Sequence, residues 1–286
     1  MSSPTPEPAT GGASPSWIEN RSTAGRLVLP NIRELVQYRE LAIVLAVRDI
    51  QVRYKQTFLG IGWAVLQPLA TTAAFTFVFN RLAGLTSEGV PYGVFVLSGM
   101  VVWTLFSAGT MRAAGALVEN ESILTKVYFP RLLLCVSAVL PGLVDLAIGL
   151  VLLAVLMAVT GVGPGIEVLV APAVILVTLV FTLGTGTLLA AINVRYRDVG
   201  NAIPFVMQLW LFLSPVAYSS TLAEGAAGWL YYVNPMAGLV ETFRWSVTGV
   251  DPPGVESLIA IGPAIALCIG GLIVFGRTER RFADVI

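Results

Sequence analysis

The residue whose position most suggests chemistry is an acid, Asp145, which lies inside the apolar stretch 132–160. Placing a carboxylate in hydrocarbon costs about 3 kcal/mol, so such an acid usually faces a protein interior, a cavity or a cation. Asp145 could carry a proton or contact a substrate, or it could be a hydrogen-bonded structural acid. We favour the structural role, because no second charge lies within an apolar stretch of this kind to relay a proton.

The residue types that build most catalytic and metal sites are otherwise scarce. The sequence has no histidine, and Cys135 and Cys268 lie in apolar surroundings, where we expect buried free thiols and no zinc site. Neither lysine, Lys55 or Lys126, follows a glycine, so there is no G-x-x-x-x-G-K-[ST] phosphate loop, and neither H-E-x-x-H nor G-x-S-x-G occurs. We therefore expect no catalytic residue, metal or cofactor on this chain, and any ATP would be bound by another subunit.

The elements that position these residues are predicted to be transmembrane helices. Of the 286 residues, 56% are hydrophobic and only 12% are charged, about half the charged fraction of a soluble domain. A helix needs about 20 apolar residues to cross the hydrocarbon core, and continuous apolar runs exclude the alternating pattern of a barrel. The sequence therefore predicts an all-α membrane protein with six spans, at residues 60–80, 92–112, 132–160, 168–192, 200–219 and 257–276.

The basic residues predict how these spans are oriented. Fifteen of the seventeen Lys and Arg residues precede the first span, follow the last, or lie between the second and third or the fourth and fifth. Only Arg81 and Arg244 fall on the other side. Since Lys and Arg are enriched in cytoplasmic loops, both termini are expected in the cytoplasm. The net charge of zero hides this asymmetry, and nothing in it indicates a nucleic-acid partner.

The segment before the first span is predicted not to cross the membrane. Residues 1–30, rich in Ser, Pro and Gly at their start, are expected to form a disordered cytoplasmic tail. In 31–56, Leu35, Tyr38 and Ala42 recur at helical spacing among basic residues, which is typical of an amphipathic helix. Such a helix could lie in the cytoplasmic membrane interface or pack on the protein's own surface.

Residues 220–248, between the fifth and sixth spans, are also predicted not to cross. Their charge-free part is short and contains Pro235, so we expect a re-entrant segment that enters from outside and returns. Trp229 and Tyr232 belong at a membrane–water boundary. Glu241 and Arg244 are three positions apart, which a helix would bring together, although a solvated surface pair is the simpler interpretation.

Two further groups of residues have alternative interpretations. In the connection 119–128, Asn120 or Ser122 could cap a short cytoplasmic helix that docks a partner, or the segment could be a plain connector. Polar and aromatic side chains in the first and fifth spans could line a path for sugars, or they could face lipid and pack. These channel-lining candidates are Gln67, Thr71, Phe75, Gln208, Phe212 and Tyr218.

Four segments together resemble one known family. They are RYKQTFLGIGWAVLQPL (53–69), NESILTKVYFPRLLL (120–134), NVRYRDVGNAIPFVMQLWLFLSPVAY (193–218) and NPMAGLVETFRWSV (234–247). In this order they are similar to the six-span permease subunit of ATP-binding-cassette exporters for polysaccharides and polyol phosphates. That family includes O-antigen, capsule, teichoic-acid and mycobacterial galactan exporters. The resemblance runs from about residue 30 to the C-terminus.

The resemblance implies a homodimer in the plasma membrane that works with two copies of a separate ATPase, which binds ATP and magnesium. Residues 119–128 would match the family's coupling helix, which seats in a cleft of the ATPase, and 195–198 would lie on the same surface. The first and fifth spans would line the channel, and 220–248 would form gate helices outside. The residues implied in coupling are Glu119, Ser122, Lys126, Tyr128, Arg195 and Asp198, and those implied in the gate are Trp229, Tyr232, Glu241 and Arg244.

The implied substrate is a lipid-linked polysaccharide, and three basic residues at the cytoplasmic boundary could attract the diphosphate of its carrier. These are Arg48, Arg53 and Lys55, although anchoring at the membrane surface would also explain them. Two other functions stay open. A secondary transporter or channel would use Asp145, and a membrane enzyme acting on lipid-linked sugars would need a cluster of acids, whereas the outward-facing acids are scattered.

Overall fold

The computed structural model describes residues 32–55, 60, 62–87, 89–124, 126, 129–219, 232–254, 257 and 259–278. The predicted tail, 1–30, lies outside these residues. The regular elements within them are helices, as predicted for an all-α membrane protein. In chain order they are α1 (Ile32–Gln37), α2 (Arg39–Lys55), α3 (Gly62–Phe75) continued by a π-helix (Thr76–Leu82), α4 (Tyr92–Glu119), α5 (Glu121–Leu124), α6 (Leu132–Val139), α7 (Gly142–Thr160), a 3-10 helix (Ile166–Val170), α8 (Ala171–Arg195), α9 (Val199–Phe212), α10 (Pro235–Thr248) and α11 (Ile261–Thr278).

Five helices in the described part of the chain are long and apolar enough to cross a membrane. They cover Gly62–Leu82, Tyr92–Glu119, Leu132–Thr160, Ile166–Arg195 and Ile261–Thr278, and they correspond to five of the six predicted spans.

The remaining predicted span, 200–219, is shorter than expected, because α9 ends at Phe212. Its 14 residues extend about 21 Å, less than the roughly 30 Å of the hydrocarbon core. The reason is Pro215, which lacks an N–H and disfavours a helical conformation at the residue before it. Residues 213–218 therefore form turns and bends instead of a helix.

The centre of the fold is α4, which runs parallel to α8 and antiparallel to α7. Of the 18 most apolar consecutive residues of α4, 83% are buried. In Gly62–Leu82, which comprises α3 and its π-helical continuation, the same share is 6%. Small residues let these helices approach closely: a Cβ on Gly109 would come within 2.6 Å of Thr182, and one on Gly186 within 2.6 Å of Ala113. The pairing of α4 with α8 thus forms the rigid core around which the exposed helices α3 and α9 are placed.

The helix α2 packs along one face and exposes another. The residues that recur at helical spacing, Leu35, Tyr38, Ala42 and Leu45, turn toward α6. Of these, Ala42 and Leu45 are buried. Elsewhere on its surface α2 exposes four aliphatic residues: Ile43, Val44, Val47 and Val52. Packing on the protein's own surface, one of the two alternatives, is therefore observed, and the exposed aliphatic face stays available to a membrane interface.

Candidate functional site

The ends of α4 and α8 and the starts of α6 and α9 meet at one end of the bundle, which we call the basic end. Five of the predicted coupling residues are exposed there: Glu119, Ser122, Lys126, Arg195 and Asp198. Together with α5 they form what we call the coupling surface. The sixth, Tyr128, lies outside the described residues. Among the described residues of 119–128, a helical turn covers Glu121–Leu124.

Two long-range contacts lie beside α5, one at the residue before it and one at its first residue. Arg48 of α2 donates from Nη2 to the side-chain oxygen of Asn120 at 3.0 Å. On the other side, Arg197 Nη2 lies 3.7 Å from Glu121 Oε2. The coupling surface is therefore joined both to α2 and to the connection between α8 and α9. Sequence reasoning did not find these contacts, because no spacing relates residue 48 to residue 120.

The side chain of Asn120 does not cap α5, as one interpretation of the sequence suggested. Its Nδ2 donates to the carbonyl of Ala116 at 2.9 Å, so it closes the end of α4. Behind the coupling surface, Asn193 of α8 donates to the carbonyl of Ala114 at 3.0 Å and fixes the end of α8 on α4. A cavity of about 240 Å³ between α4, α8 and α9 is lined by residues that include Glu119, Arg197 and Pro204.

The acid Asp145 is surrounded by three polar side chains. Its Oδ2 lies 2.6 Å from Arg53 Nη1 and 3.6 Å from Arg112 Nη1, and its Oδ1 accepts a hydrogen bond from the Tyr54 hydroxyl at 2.9 Å. We call these four residues the Asp145 cluster. The sequence did not predict these partners, because two of them, Arg53 and Tyr54, come from α2, which precedes the first span and folds back to Asp145.

Burial and the carboxylate of Asp145 act on Tyr54, at the end of α2. Desolvation raises the pKa of the Tyr54 phenol, and its hydrogen bond to Asp145 and the negative charge of that carboxylate raise it further. Tyr54 therefore keeps its proton and stays a donor to Asp145. With two cations and a donor around it, Asp145 has the environment of a structural counter-ion, the role that we favoured from sequence.

A small cavity connects this cluster to α3. It has a volume of about 70 Å³ and is lined by residues that include Arg53, Gln67, Thr71 and Asp145. The structure thus brings together two channel-lining candidates and one candidate for diphosphate binding, which sequence reasoning had treated separately.

The other diphosphate candidates have partners of their own. Arg48 pairs with Asp49 at 2.8 Å, and Lys55 Nζ lies 3.5 Å from the Gln51 side-chain oxygen. With Arg53 and Arg112, four basic side chains lie near two carboxylates, Asp49 and Asp145, among the described residues of this region. The region therefore keeps an excess of positive charge.

The remaining channel-lining candidates lie on two helices that flank α4 and, for Tyr218, in the non-helical segment after α9. The helix α3 packs beside α4 and α7, whereas α9 packs beside α4 and α8. Gln67 and Gln208 are exposed, as is Phe212. Phe75 instead contacts Phe79 edge to face at 5.7 Å, and Tyr218 donates to the carbonyl of Phe212 at 3.0 Å. Both of these side chains serve packing at least in part.

Arg244, a gate candidate, is buried and not a solvated surface residue. It is 6% exposed, and its Nη2 donates to the carbonyl of Pro215 at 2.6 Å and to that of Val216 at 3.3 Å. Its Nε donates to the carbonyl of Phe95, and its guanidinium lies 3.6 Å from the centre of the Phe95 ring. The end of α9 therefore has buried donors for carbonyls that a continued helix would have satisfied.

Neighbouring side chains complete this arrangement. Tyr92 donates to the carbonyl of Ala217. Asn234 caps α10 by accepting from the N–H of Met236 at 3.0 Å, and it donates to the carbonyl of Leu213 at 3.1 Å. Together these contacts attach α10 to the non-helical segment 213–218. Irregular backbone at membrane depth is tolerated where protein satisfies it in this way.

Two of the other three gate candidates lie within the described residues. Glu241 of α10 accepts from the Ser257 hydroxyl at 3.3 Å, and Tyr232 is partly exposed just before α10. Trp229 lies outside the described residues.

The chain resembles known proteins over most of its length. Residues 40–247 match the ABC-2 type transporter family. An O-antigen export system permease protein RfbA of Myxococcus xanthus is 32% identical over 258 residues, 89% of this chain and 98% of that protein. A Klebsiella pneumoniae protein of the same name is 26% identical over 86% of this chain and 95% of its own length. The polysialic acid transport protein KpsM of Escherichia coli is 22% identical over 84% of this chain and 94% of its own length. The family match covers more than half of the chain, and this chain belongs to the ABC-2 type transporter family.

Proposed function

We propose that this chain is the permease subunit of an ATP-driven exporter that moves a lipid-linked polysaccharide across the plasma membrane. The relatives named for O-antigen export and polysialic acid transport support a polysaccharide as the class of substrate. An O-antigen, a galactan or a teichoic-acid-like polymer fits this proposal.

The observation that carries the proposal is the coupling surface. A one-turn helix, α5, stands at the basic end between two spans, beside contacts of Arg48 with Asn120 and of Arg197 with Glu121. These contacts connect the segment to α2 and to the connection between α8 and α9. A partner that pushes on α5 would need a rigid attachment to the rest of the permease. The positive-inside rule places this end in the cytoplasm, where the ATPase would bind.

The energy source would be two copies of a separate ATP-binding-cassette ATPase, which holds ATP and magnesium. The chain itself has no phosphate loop in its sequence. In this arrangement the chain is not an enzyme, and closure of the ATPase around ATP would move α5.

The exposed amides of Gln67 on α3 and Gln208 on α9 support assembly as a homodimer. An amide in contact with lipid loses its hydrogen bonds to water, which costs about 1–3 kcal/mol on mutational scales. The same amides facing a polar path between two copies keep hydrogen-bonding partners. A second copy would thus bring α3 and α9 of both chains around one channel, with α10 and the region 220–248 at its outer end.

The lipid-linked end of the substrate would enter near α2. The excess positive charge around Arg48, Arg53 and Lys55 is suited to the diphosphate of a lipid carrier. Arg53 also lines the cavity that Gln67 and Thr71 share. A secondary transporter that uses Asp145 as a proton carrier fits the geometry less well, because both carboxylate oxygens have donors.

Co-purification tests this assignment. The chain should be co-expressed with a candidate ATP-binding-cassette ATPase from the same organism, and the complex isolated through a tag on this chain. We expect equal amounts of the two proteins, and we expect Lys126→Glu to reduce recovery of the ATPase. Recovery of the ATPase at background level with the unmodified chain would contradict the proposal.

A further inference from the structure

We propose that the Asp145 cluster transmits movement from the coupling surface to the transmembrane helices, with Asp145 exchanging one arginine partner for the other. This inference rests on the proposed function, and it gives Asp145 and Arg53 the role of positioning residues in coupling.

The first step concerns α2, which is attached at two places. Arg48 contacts Asn120 beside the coupling surface, and Arg53 contacts Asp145 at the start of α7. The two arginines are five positions apart on one helix, a rise of about 7.5 Å. A displacement of α5 therefore pulls on the same helix that holds Asp145. The helix α2 is thus a direct mechanical connection between the coupling surface and α7.

The second step concerns the different mobility of the two arginines. Arg112 lies in the central helix α4, and its Nε donates to the carbonyl of Ala138 at 3.1 Å, just before the break between α6 and α7. Gly142 leaves room for this, since a Cβ there would come within 2.9 Å of Arg112 Nη2. Arg53 lies at the end of α2 and its side chain is 41% exposed. Arg53 can therefore move with α2, whereas Arg112 is fixed.

The third step concerns the cost of separating charges. Removing the only partner of a buried carboxylate is strongly unfavourable, because a bare charge is left in a poorly hydrated site. Asp145 is 10% exposed, but it has a second cation, Arg112, at 3.6 Å. When Arg53 moves away, Asp145 can approach Arg112 and stay neutralised. The second arginine thus lowers the barrier to movement of α2, which a single buried ion pair would prevent.

The fourth step concerns where the movement leads. Arg53 and Asp145 line the cavity that also contains Gln67 and Thr71 of α3. Separation of Arg53 from Asp145 would enlarge this cavity at the base of a proposed channel helix. A push on α5 would in this way change the environment of α3 without direct contact between them.

The test uses the complex of this chain with its ATPase, reconstituted in lipid vesicles. Asp145→Asn and Arg53→Gln remove the ion pair, and Arg53→Lys keeps the charge. Glu40→Gln, an exposed acid on α2, is the matched control for the loss of one charge. The measurements are ATP hydrolysis and the amount of polymer exported per ATP. Amide hydrogen exchange of residues 39–55 is measured with and without ATP.

For Asp145→Asn we expect ATP hydrolysis within about twofold of the unmodified complex and a loss of about tenfold in polymer exported per ATP. Arg53→Gln also removes a charge proposed to attract the substrate, so this variant is compared through hydrogen exchange in α2. Exchange in α2 should be fast without ATP in these variants, whereas the unmodified protein and Glu40→Gln should reach fast exchange only with ATP. Arg53→Lys should restore much of the coupling. If Asp145→Asn does not insert in the membrane, the variant at the more exposed residue, Arg53→Gln, gives the same comparison of hydrogen exchange in α2.

Export per ATP and α2 exchange that match the unmodified complex in both variants would overturn the inference. Failure of the proposed function gives a different result. In that case the unmodified complex shows no ATP-dependent export, while hydrogen exchange still reports whether Asp145 holds α2. Slow exchange in Asp145→Asn would then refute the cluster's role independently.

Discussion

Arg244 Nη2 lies 2.6 Å from the carbonyl oxygen of Pro215, and this contact joins α10 to the non-helical end of α9. Two helix breaks in the described part of the chain have such a contact, one after α9 and one between α6 and α7. At the second break, Arg112 donates to the carbonyl of Ala138 at 3.1 Å. Each break follows from a proline, Pro215 or Pro141, which cannot donate to the preceding turn. A guanidinium, buried in Arg244 and partly buried in Arg112, then donates to carbonyls beside each break. Arg112 and Arg244 are therefore structural donors as well as charges.

The first prediction concerns Arg244→Gln. Glutamine cannot reach all the carbonyls that the guanidinium contacts, so buried acceptors lose their donors and the protein should lose about 2–3 kcal/mol of stability. Thermal unfolding of the purified protein in detergent measures this. Arg81→Gln removes an exposed arginine after the first span and is the control. An unfolding temperature that falls equally in both variants would argue against a special role for Arg244.

The second prediction concerns the coupling surface. Lys126→Glu and Arg195→Glu reverse exposed charges where the ATPase is proposed to bind, so affinity for the ATPase should fall by about tenfold or more at low salt. Both variants should insert in the membrane normally, because neither side chain is buried. Binding can be measured by titrating the purified ATPase against the permease in nanodiscs. Arg81→Glu, a charge reversal on the other side of the membrane, is the control and should leave the affinity unchanged. If Lys126→Glu and Arg195→Glu also leave the affinity unchanged, the ATPase binds elsewhere.

The third prediction concerns the contact between two copies. With Cys135 and Cys268 replaced by alanine, single cysteines at Gln67 and Gln208 should form disulfide-linked dimers on mild oxidation, because α3 and α9 are proposed to face the partner copy. Val151, 62% exposed on α7, should face lipid, and its cysteine variant is the control. Cross-linking at position 151 without cross-linking at 67 or 208 would assign the interface to α7.

The fourth prediction concerns orientation. A cysteine at Lys126 should react with a membrane-impermeant maleimide only from the cytoplasmic side, and one at Thr86, exposed between α3 and α4, only from outside. Intact cells expose the outer side of the membrane to the maleimide, and inverted vesicles expose its cytoplasmic side. The reverse pattern of labelling would invert the proposed topology, and with it the place where the ATPase docks.

The sequence predicted those features that depend on apolar length. Continuous hydrophobic runs indicated five helices that the structure contains. The residues of the coupling surface were taken from the family resemblance, and five of them are exposed at one end of the bundle. The end of α9 could also have been anticipated, since Pro215 stands in the last part of the predicted span. It was missed because a charge-free run of 25 residues suggested a complete crossing.

The contacts of the charged residues could not be predicted, because they join distant parts of the chain. Arg53 and Asp145 are 92 positions apart, and Arg244 and Phe95 are 149 positions apart. Helical spacing suggested that Glu241 and Arg244 would be a solvated pair, but spacing along one helix does not reveal which face is buried. Phe243, the residue before Arg244, is likewise in the core, with 0% exposure.

The most direct test of the central proposal is polymer transport in reconstituted vesicles. The chain and its ATPase are inserted with the ATPase outside, a lipid-linked polysaccharide is added, and polymer protected inside the vesicles is measured after ATP is supplied. We predict uptake that requires both subunits, ATP and magnesium, and that stops with an ATPase variant unable to hydrolyse ATP. Uptake by this chain alone, driven by an ion gradient and insensitive to ATP, would contradict the account.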